Sequence, residues 1–226
     1  MLSVADVAVV HGLGGTPATM APLADALAAV GFRVAVPLLA GHGTEPDDLV
    51  GVTWDQWLDS IPTARVVIGQ SLGGSLALAL AARGGADGGV ACINGLGYSD
   101  ADAIDALSTE LASGAEWIAA SSPDIRAEGV TEVAYHRLPV SALLEMSRGV
   151  GTIDLPAVTV PVLVVTSTDD AVVDPHHSDV IATSVRGPVE RIRLPRSGHV
   201  ATLDLDAPVL IETTLEWVSR ALSPRR

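Results

Sequence analysis

Arg65-Val66-Val67-Ile68-Gly69-Gln70-Ser71-Leu72-Gly73-Gly74 is the stretch that decides how this chain folds. Its first four residues carry the β-branched, apolar pattern of a strand buried on both faces. The run Leu76-Ala77-Leu78-Ala79-Leu80-Ala81-Ala82 that follows Ser75 has helical composition, and Leu72, Leu76, Ala79 and Leu80 share one helical face. Between them stands Gly-x-Ser-x-Gly, the sequence of a serine held on a tight strand-to-helix turn. The spacing has a physical cause. Side chains two positions either side of such a serine would crowd the turn, so Gly69 and Gly73 lack them. The helix behind Ser71 aims main-chain N–H groups and its positive dipole end at whatever the hydroxyl attacks. The chain holds 22 glycines, so five matching residues carry weight only with a strand before, a helix after and chemical partners in the right order.

Working outward, five further apolar or alternating runs read as strands: Val7 to Val10, Arg33 to Val36, Val90 to Ile93, Val162 to Val165 and Val189 to Leu194. Helical patterns separate them, the alternation of a parallel sheet covered by helices. The last run alternates apolar and charged residues, which suits an exposed strand at an edge. Thr16-Pro17 reads as a helix cap and first turn, followed by Met20, Leu23, Ala24 and Leu27 at helical spacing and closed by Gly31. Another helix opens at Asp206 and Pro208 and carries Leu210, Leu215, Val218 and Leu222. Residues 97–155 break the rhythm with helical patterns (Ile104, Leu107, Leu111, Ile118; Leu143, Leu144, Met146) and no convincing strand. They are expected to form a helical cap inserted after the fourth strand, with residues 1–96 and 156–226 making the core.

Composition narrows the partners. With 13 basic and 27 acidic residues the formal charge is −14, which repels phosphate backbones and anionic lipid surfaces, so nucleic acid is not an expected partner. Apolar residues make up 48% and charged ones 18%, a balance that builds a core and excludes disorder. No run approaches the ~20 apolar residues of a membrane span, and no basic segment precedes the Val7 to Val10 stretch as in a signal peptide. Cys92, the only cysteine, reads as a small buried hydrophobe. A cytoplasmic setting is expected.

A serine on such a turn needs a base and an acid, and they follow in chain order. The strand Val162 to Thr166 ends in Ser167-Thr168-Asp169-Asp170, which brings a carboxylate to the end of the sheet. Ser197-Gly198-His199 follows the next strand and supplies an imidazole on a flexible hinge. His199 would take the hydroxyl proton of Ser71 and return it to the leaving group, and a carboxylate on the far ring nitrogen would fix its tautomer. Spacing alone does not choose between Asp169 and Asp170. His11-Gly12-Leu13-Gly14-Gly15, after the first strand, supplies a main-chain donor at Leu13 that pairs with that of Leu72 in an oxyanion hole. The glycine loop lacks the GxGxxG spacing of dinucleotide sites.

The remaining histidines carry plainer expectations. His176 and His177 stand at a helix start capped by Asp174 with Pro175 and are read as surface residues. His11 ends a strand and His42 lies in a loop between glycines. The grouping of His176, His177 and Asp174 is too weak to claim a metal site, and neither metal nor cofactor is expected.

Together, HGLGGTP at 11–17, PLLAGHG at 37–43, GQSLGG at 69–74, DDAVVDP at 169–175 and SGHVATLD at 197–204 resemble the small bacterial carboxylesterases and monoacylglycerol lipases of the α/β-hydrolase superfamily. These segments span nearly the whole chain. The resemblance implies an α/β-hydrolase fold: a mostly parallel sheet of about six strands flanked by helices, with a small helical cap after the fourth strand. It implies Ser71 as nucleophile, His199 as base, donors at Leu13 and Leu72, and, because the family's acid stands five residues before a proline, Asp170 as the acid. It also implies hydrolysis of short to medium acyl esters or monoglycerides without a cofactor, the partner being a small hydrophobic ester.

Two departures accompany the likeness. The sequence opens directly on the strand that leads to the expected oxyanion loop, so the superfamily's usual leading hairpin is expected to be reduced or missing, and the link from Gly43 to Arg65 leaves little room for a helix beyond Trp54 to Ser60. An uncovered edge strand near Val34 would then offer itself to a second copy, giving a homo-oligomer. Triad chemistry is shared with thioesterases, amidases and lactonases, and a hydrolase-fold binder with little turnover is the rival outside enzymes. Epoxide hydrolases and haloalkane dehalogenases, which place aspartate at the elbow, do not fit the serine.

Overall fold

The computed structural model describes residues 5–120 and 122–223. In chain order the strands and helices are β1 (Ala5–Val10), α1 (Ala21–Ala29), β2 (Val34–Ala35), α2 (Trp54–Asp59), β3 (Ala64–Gln70), α3 (Leu72–Ala82), β4 (Gly89–Ile93), α4 (Ala101–Ala112), β5 (Trp117–Ala119), β6 (Arg137–Pro139), α5 (Val140–Val150), β7 (Val162–Ser167), α6 (His176–Ser184), β8 (Val189–Leu194) and α7 (Ala207–Leu222). Six of the strands form one parallel sheet in the order β2-β1-β3-β4-β7-β8.

Strand alternation explains the continuous apolar runs. Val7, Val9, Val66, Ile68, Leu163 and Val165 pack into a core on one face with α1 and α7. Ala8, Val10, Val67, Val162 and Val164 pack into a second core with α2, α3 and α5. Each fully buried Val, Leu or Ile contributes roughly 1.5–3 kcal/mol, so both faces must be apolar for the sheet to hold two layers. β8 lies at an edge, as its alternation foretold, with Glu190, Arg191 and Arg193 exposed.

The chain passes from β1 outward to β2, then returns to the other side of β1 as β3. This reversal opens a crevice at the carboxyl ends of β1 and β3, the place where open α/β sheets bind ligands. The glycine-rich loop that begins at His11 leaves β1 there, and Ser71 leaves β3.

Several local expectations need correction. A 3-10 turn, Pro17–Met20, precedes α1, and the Thr16 hydroxyl donates to the Val133 carbonyl at 3.4 Å instead of capping the helix, because residues 97–155 pack over this loop. α7 does open at Asp206 with Pro208 in its first turn, and the Asp206 carboxylate accepts from the main chain and guanidinium of Arg196 at 2.7 and 2.8 Å. β2 is only two residues long. The helix after Ser71 is buried on nearly all sides from Leu72 to Ala79, since it lies between the sheet and the inserted segment.

The inserted segment also differs from expectation. It contains a two-stranded antiparallel ladder, β5 with β6, beside α4 and α5. Ile118 sits in β5 and not on a helix. Three-residue strands are too short to show alternation, and the pairing partner lies 20 residues away, so no local pattern announces them.

Candidate active site

Ser71 occupies φ 55°, ψ −120°, a region that non-glycine residues adopt at a cost of order 1–3 kcal/mol. The turn is held by close packing that only glycine allows. A Cβ on Gly69 would stand 2.0 Å from the Gly73 carbonyl carbon, and one on Gly73 would stand 2.4 Å from the Val10 oxygen. The Ser71 N–H donates to the Ile93 carbonyl at 2.8 Å, and its own carbonyl accepts from Gly74 and Ser75 at 3.0 and 3.2 Å. Strain is therefore paid by pairing on both sides, and the hydroxyl is presented into the crevice.

The acid and the imidazole meet. Asp170 Oδ2 lies 2.8 Å from His199 Nδ1, and Asp170 Oδ1 accepts from the main-chain N–H groups of Val172 and Val173, both at 2.8 Å. The Asp170 side chain is 2% exposed, whereas that of Asp169 is 65% exposed and faces Arg126. The choice that spacing left open between the two aspartates is thus decided in geometry in favour of Asp170 as the partner of His199. Nδ1 donates in this contact, which leaves Nε2 as the acceptor.

Residues that sequence reasoning did not single out hold the imidazole loop from behind. Asn94, at the end of β4 with φ 48°, donates to the His199 carbonyl at 2.8 Å and to Ser167 Oγ at 2.9 Å, and accepts from the Ser167 N–H at 2.8 Å. The Ser167 hydroxyl donates to the Gly198 carbonyl at 2.7 Å. Asp204, buried, accepts from the Gly198 N–H at 2.7 Å. Asp124, from the inserted segment, accepts from the His199 N–H at 2.8 Å. A signal for Asn94 existed in its place directly after an apolar strand. Asp124 left none, since a lone loop acid reads as solvated.

Leu13 and Ser71 line the same cavity. A Cβ on Gly12 would lie 3.8 Å from Ser71 Oγ, which shows how closely the β1 loop approaches the serine. Among the described residues, neither the Leu13 nor the Leu72 N–H is taken up by a turn or loop carbonyl. The loop is braced by two histidines. Nε2 of His11 accepts from the Leu39 N–H at 3.2 Å and Nδ1 meets the Gly12 carbonyl at 2.9 Å. Burial pushes the His11 pKa down to about 4. His42 stands 5.0 Å from His11 edge to face and stacks on Tyr135, so both rings serve as packed braces, and burial lowers the His42 pKa as well.

A cavity of about 590 Å³ opens over Ser71 and His199. Leu13, Leu138, Leu143, Met146, Val172 and Val173 give it apolar walls, and Glu132 and Tyr135 add polar groups. Most of these come from residues 97–155. The segment is tied to the loop after β1 where the Tyr135 N–H donates to the Gly14 carbonyl at 2.8 Å. Glu132 accepts from the Thr19 hydroxyl at 3.1 Å, and burial raises its pKa.

The sequence of residues 7–211 matches the model of the alpha/beta hydrolase family. The chain belongs to that family. It is 34% identical over 230 residues, 95% of this chain and 90% of the other, to the thermostable monoacylglycerol lipase of Bacillus sp. strain H-257. A solved structure of the metagenome-derived lipolytic enzymes LipS and LipT superposes with a TM-score of 0.87 at 30% identity, covering 96% of both chains. A soluble variant of monoglyceride lipase from Saccharomyces cerevisiae shares the fold, with a TM-score of 0.77 at 14% identity over 95% of this chain and 87% of that one. This alpha/beta hydrolase is accordingly a hydrolase of the carboxylesterase and monoacylglycerol-lipase-like kind.

One histidine of this hydrolase departs from expectation. His177 is buried, its ring stacked on Tyr98 at 4.0 Å between centroids with Nδ1 accepting from the Gly97 N–H at 3.3 Å, while His176 keeps the Asp174 turn expected of it at 2.8 Å. The entry of the inserted segment at Gly97 and Tyr98 covers the start of α6, which local sequence does not show. Among the described residues, no group of three His, Cys, Asp or Glu side chains could hold a metal ion. No helix of the described residues is long and apolar enough to cross a membrane.

Proposed function

We propose that the protein hydrolyses carboxylic esters, short to medium acyl esters and monoglycerides among them, through Ser71, His199 and Asp170 and a covalent acyl-enzyme. The observation that carries this is the His199–Asp170 contact at 2.8 Å opening onto the same cavity as the strained Ser71. Ser71 Oγ attacks the ester carbonyl carbon while its proton passes to Nε2 of His199. The carbonyl oxygen, now negative, is held by the N–H groups of Leu13 and Leu72. Collapse expels the alcohol, which takes the proton from His199 and leaves the acyl group on Ser71. Water then attacks by the same route, giving up a proton to His199, and the fatty acid departs as the hydroxyl of Ser71 is restored.

Wall chemistry supports the substrate class. An apolar acyl chain fits Leu138, Leu143, Met146 and Val172, and Glu132 offers acceptor oxygens for hydroxyls on the alcohol side. Residues 97–155 act in this reading as the cap that sets acyl length. The relative in Bacillus, named for monoacylglycerol, favours a glyceride over a thioester or lactone. The setting we propose is cytoplasmic, with β2 as the edge at which a second copy would pair.

The test is hydrolysis of p-nitrophenyl esters and of monoacylglycerols of graded acyl length by the purified protein beside Ser71→Ala. Activity lost in the variant is expected; equal rates for the two proteins would overturn the mechanism.

A further inference from the structure

Asp124 stands in the inserted segment, far in sequence from the acid and the base, yet it bonds to the loops of both. One oxygen, Oδ2, accepts from the His199 N–H at 2.8 Å and from the Ala171 N–H at 2.9 Å. The first is the base's own residue and the second is next to the acid. The Asp124 carbonyl accepts from the Val200 N–H at 3.2 Å. Two residues on, the Arg126 guanidinium donates to the Asp169 carboxylate at 3.2 Å and to the Asp169 carbonyl at 3.1 Å. Main-chain N–H groups of Arg126 and Ala127 donate to Asp204 at 3.0 and 2.8 Å, and Asp204 also holds Gly198. Residues 124–127 thus lie as a strap across the acid loop and the base loop together.

The fit explains a residue of the SGHVATLD stretch. A Cβ on Gly198 would stand 2.4 Å from Asp124 Oδ1 and 2.5 Å from the Asp124 carbonyl oxygen, so the loop before His199 is bare because the strap occupies that space. A charged acceptor makes hydrogen bonds about twice as strong as a neutral one. One carboxylate oxygen shared between two loops fixes their separation, and catalysis is sensitive to displacements of an ångström or less.

We propose that Asp124 is a positioning residue that sets His199 against Asp170, making the inserted segment part of the catalytic apparatus as well as a wall of the pocket. This rests on the Ser71, His199, Asp170 reading above. The structure ties Asp124 to the main chain of the two loops, so its loss should disturb turnover more than substrate capture.

The experiment compares wild type, Asp124→Ala and Asp124→Asn for kcat and KM on p-nitrophenyl butyrate, for the rate of labelling by a fluorophosphonate, and for thermal unfolding. Asp124→Ala is expected to lose on the order of tenfold to a hundredfold in kcat and to slow labelling in parallel, with KM changed by no more than about threefold. Asp124→Asn keeps an amide oxygen at the shared position and should recover most of the loss. Wild-type kcat in Asp124→Ala, a change confined to KM, or no recovery in Asp124→Asn would each overturn the proposal. Should Asp124→Ala fail to fold, Asp124→Ser, too short to reach both loops, takes its place with the same readouts. A wild type that is not labelled, with Ser71→Ala as active as wild type, would instead defeat the reading of Ser71 and this inference with it; a labelled, active wild type matched by Asp124→Ala defeats the strap alone.

Discussion

Asp170 and His199 touch at 2.8 Å across 29 residues of chain, and Asp170 spends its other oxygen on two main-chain N–H groups of its own loop. The carboxylate is thereby fixed before the imidazole meets it. Its neighbour Asp169 makes a solvent-exposed pair with Arg126.

Replacing the acid should therefore separate the two aspartates. In Asp170→Asn the amide cannot hold the ring in the same tautomer, and kcat is expected to fall on the order of a thousandfold or more. Asp169→Asn, at an exposed pair worth under about 1 kcal/mol, should stay within a fewfold of wild type. Steady-state rates on one chromogenic ester check both, and a greater loss in Asp169→Asn would reverse the assignment.

The elbow should be intolerant of any added atom. Gly73→Ala places its methyl carbon 2.4 Å from the Val10 oxygen, main chain that cannot swing away. Destabilisation of about 3 kcal/mol or more is expected from such overpacking. Urea unfolding measures it; a variant as stable as wild type would show that α3 can shift away from β1 at no cost.

Stability should depend on pH through His11. Buried His11 is neutral in the fold down to about 4, whereas in the unfolded chain it takes a proton below its ordinary 6.5. The unfolded state binds the extra proton between those values, so stability falls as pH drops from 6.5 towards 4 and levels off beneath. The gap corresponds to on the order of 3 kcal/mol. Burial of His42 and His177 lowers their pKa values too and adds in the same direction. Thermal unfolding at a series of pH values should show the decline, with a shallower slope in His11→Asn; parallel slopes would assign the effect elsewhere.

Cys92 should be chemically silent. It lies in β4 at 1% exposure against Gly74 and Gly95, and burial pushes its thiol up to about 12. Iodoacetamide is expected to modify the protein only after unfolding, while a fluorophosphonate labels the native enzyme at Ser71. Rapid alkylation of native protein would show that the core opens at β4.

Local sequence carried the frame. Continuous apolar runs announced β1, β3, β4 and β7 clearly, because burial on both faces leaves a continuous mark, and alternation with charged residues announced β8 at its edge. β2 was legible only as a run whose paired length is two residues. The ladder of β5 and β6 escaped notice because its strands are three residues each and owe their form to pairing. His177 was misplaced at the surface for a related reason: Tyr98, which covers it, comes from another part of the chain.

By itself the sequence determined the parallel sheet, the glycine-bounded serine turn and the order of serine, acid and imidazole, since these rest on periodicity, on steric demands within a few residues and on chain order. Tertiary structure alone decided that Asn94 and Asp124 brace the imidazole loop; it also brought Asp170, which the family resemblance had implied over Asp169, into contact with His199, and fixed which side chains of residues 97–155 wall the cavity. Those outcomes depend on which loops converge at the ends of β1, β3, β4, β7 and β8. Convergence is a property of packed layers, and a loop carboxylate looks the same in sequence whether water or a distant N–H finally meets it.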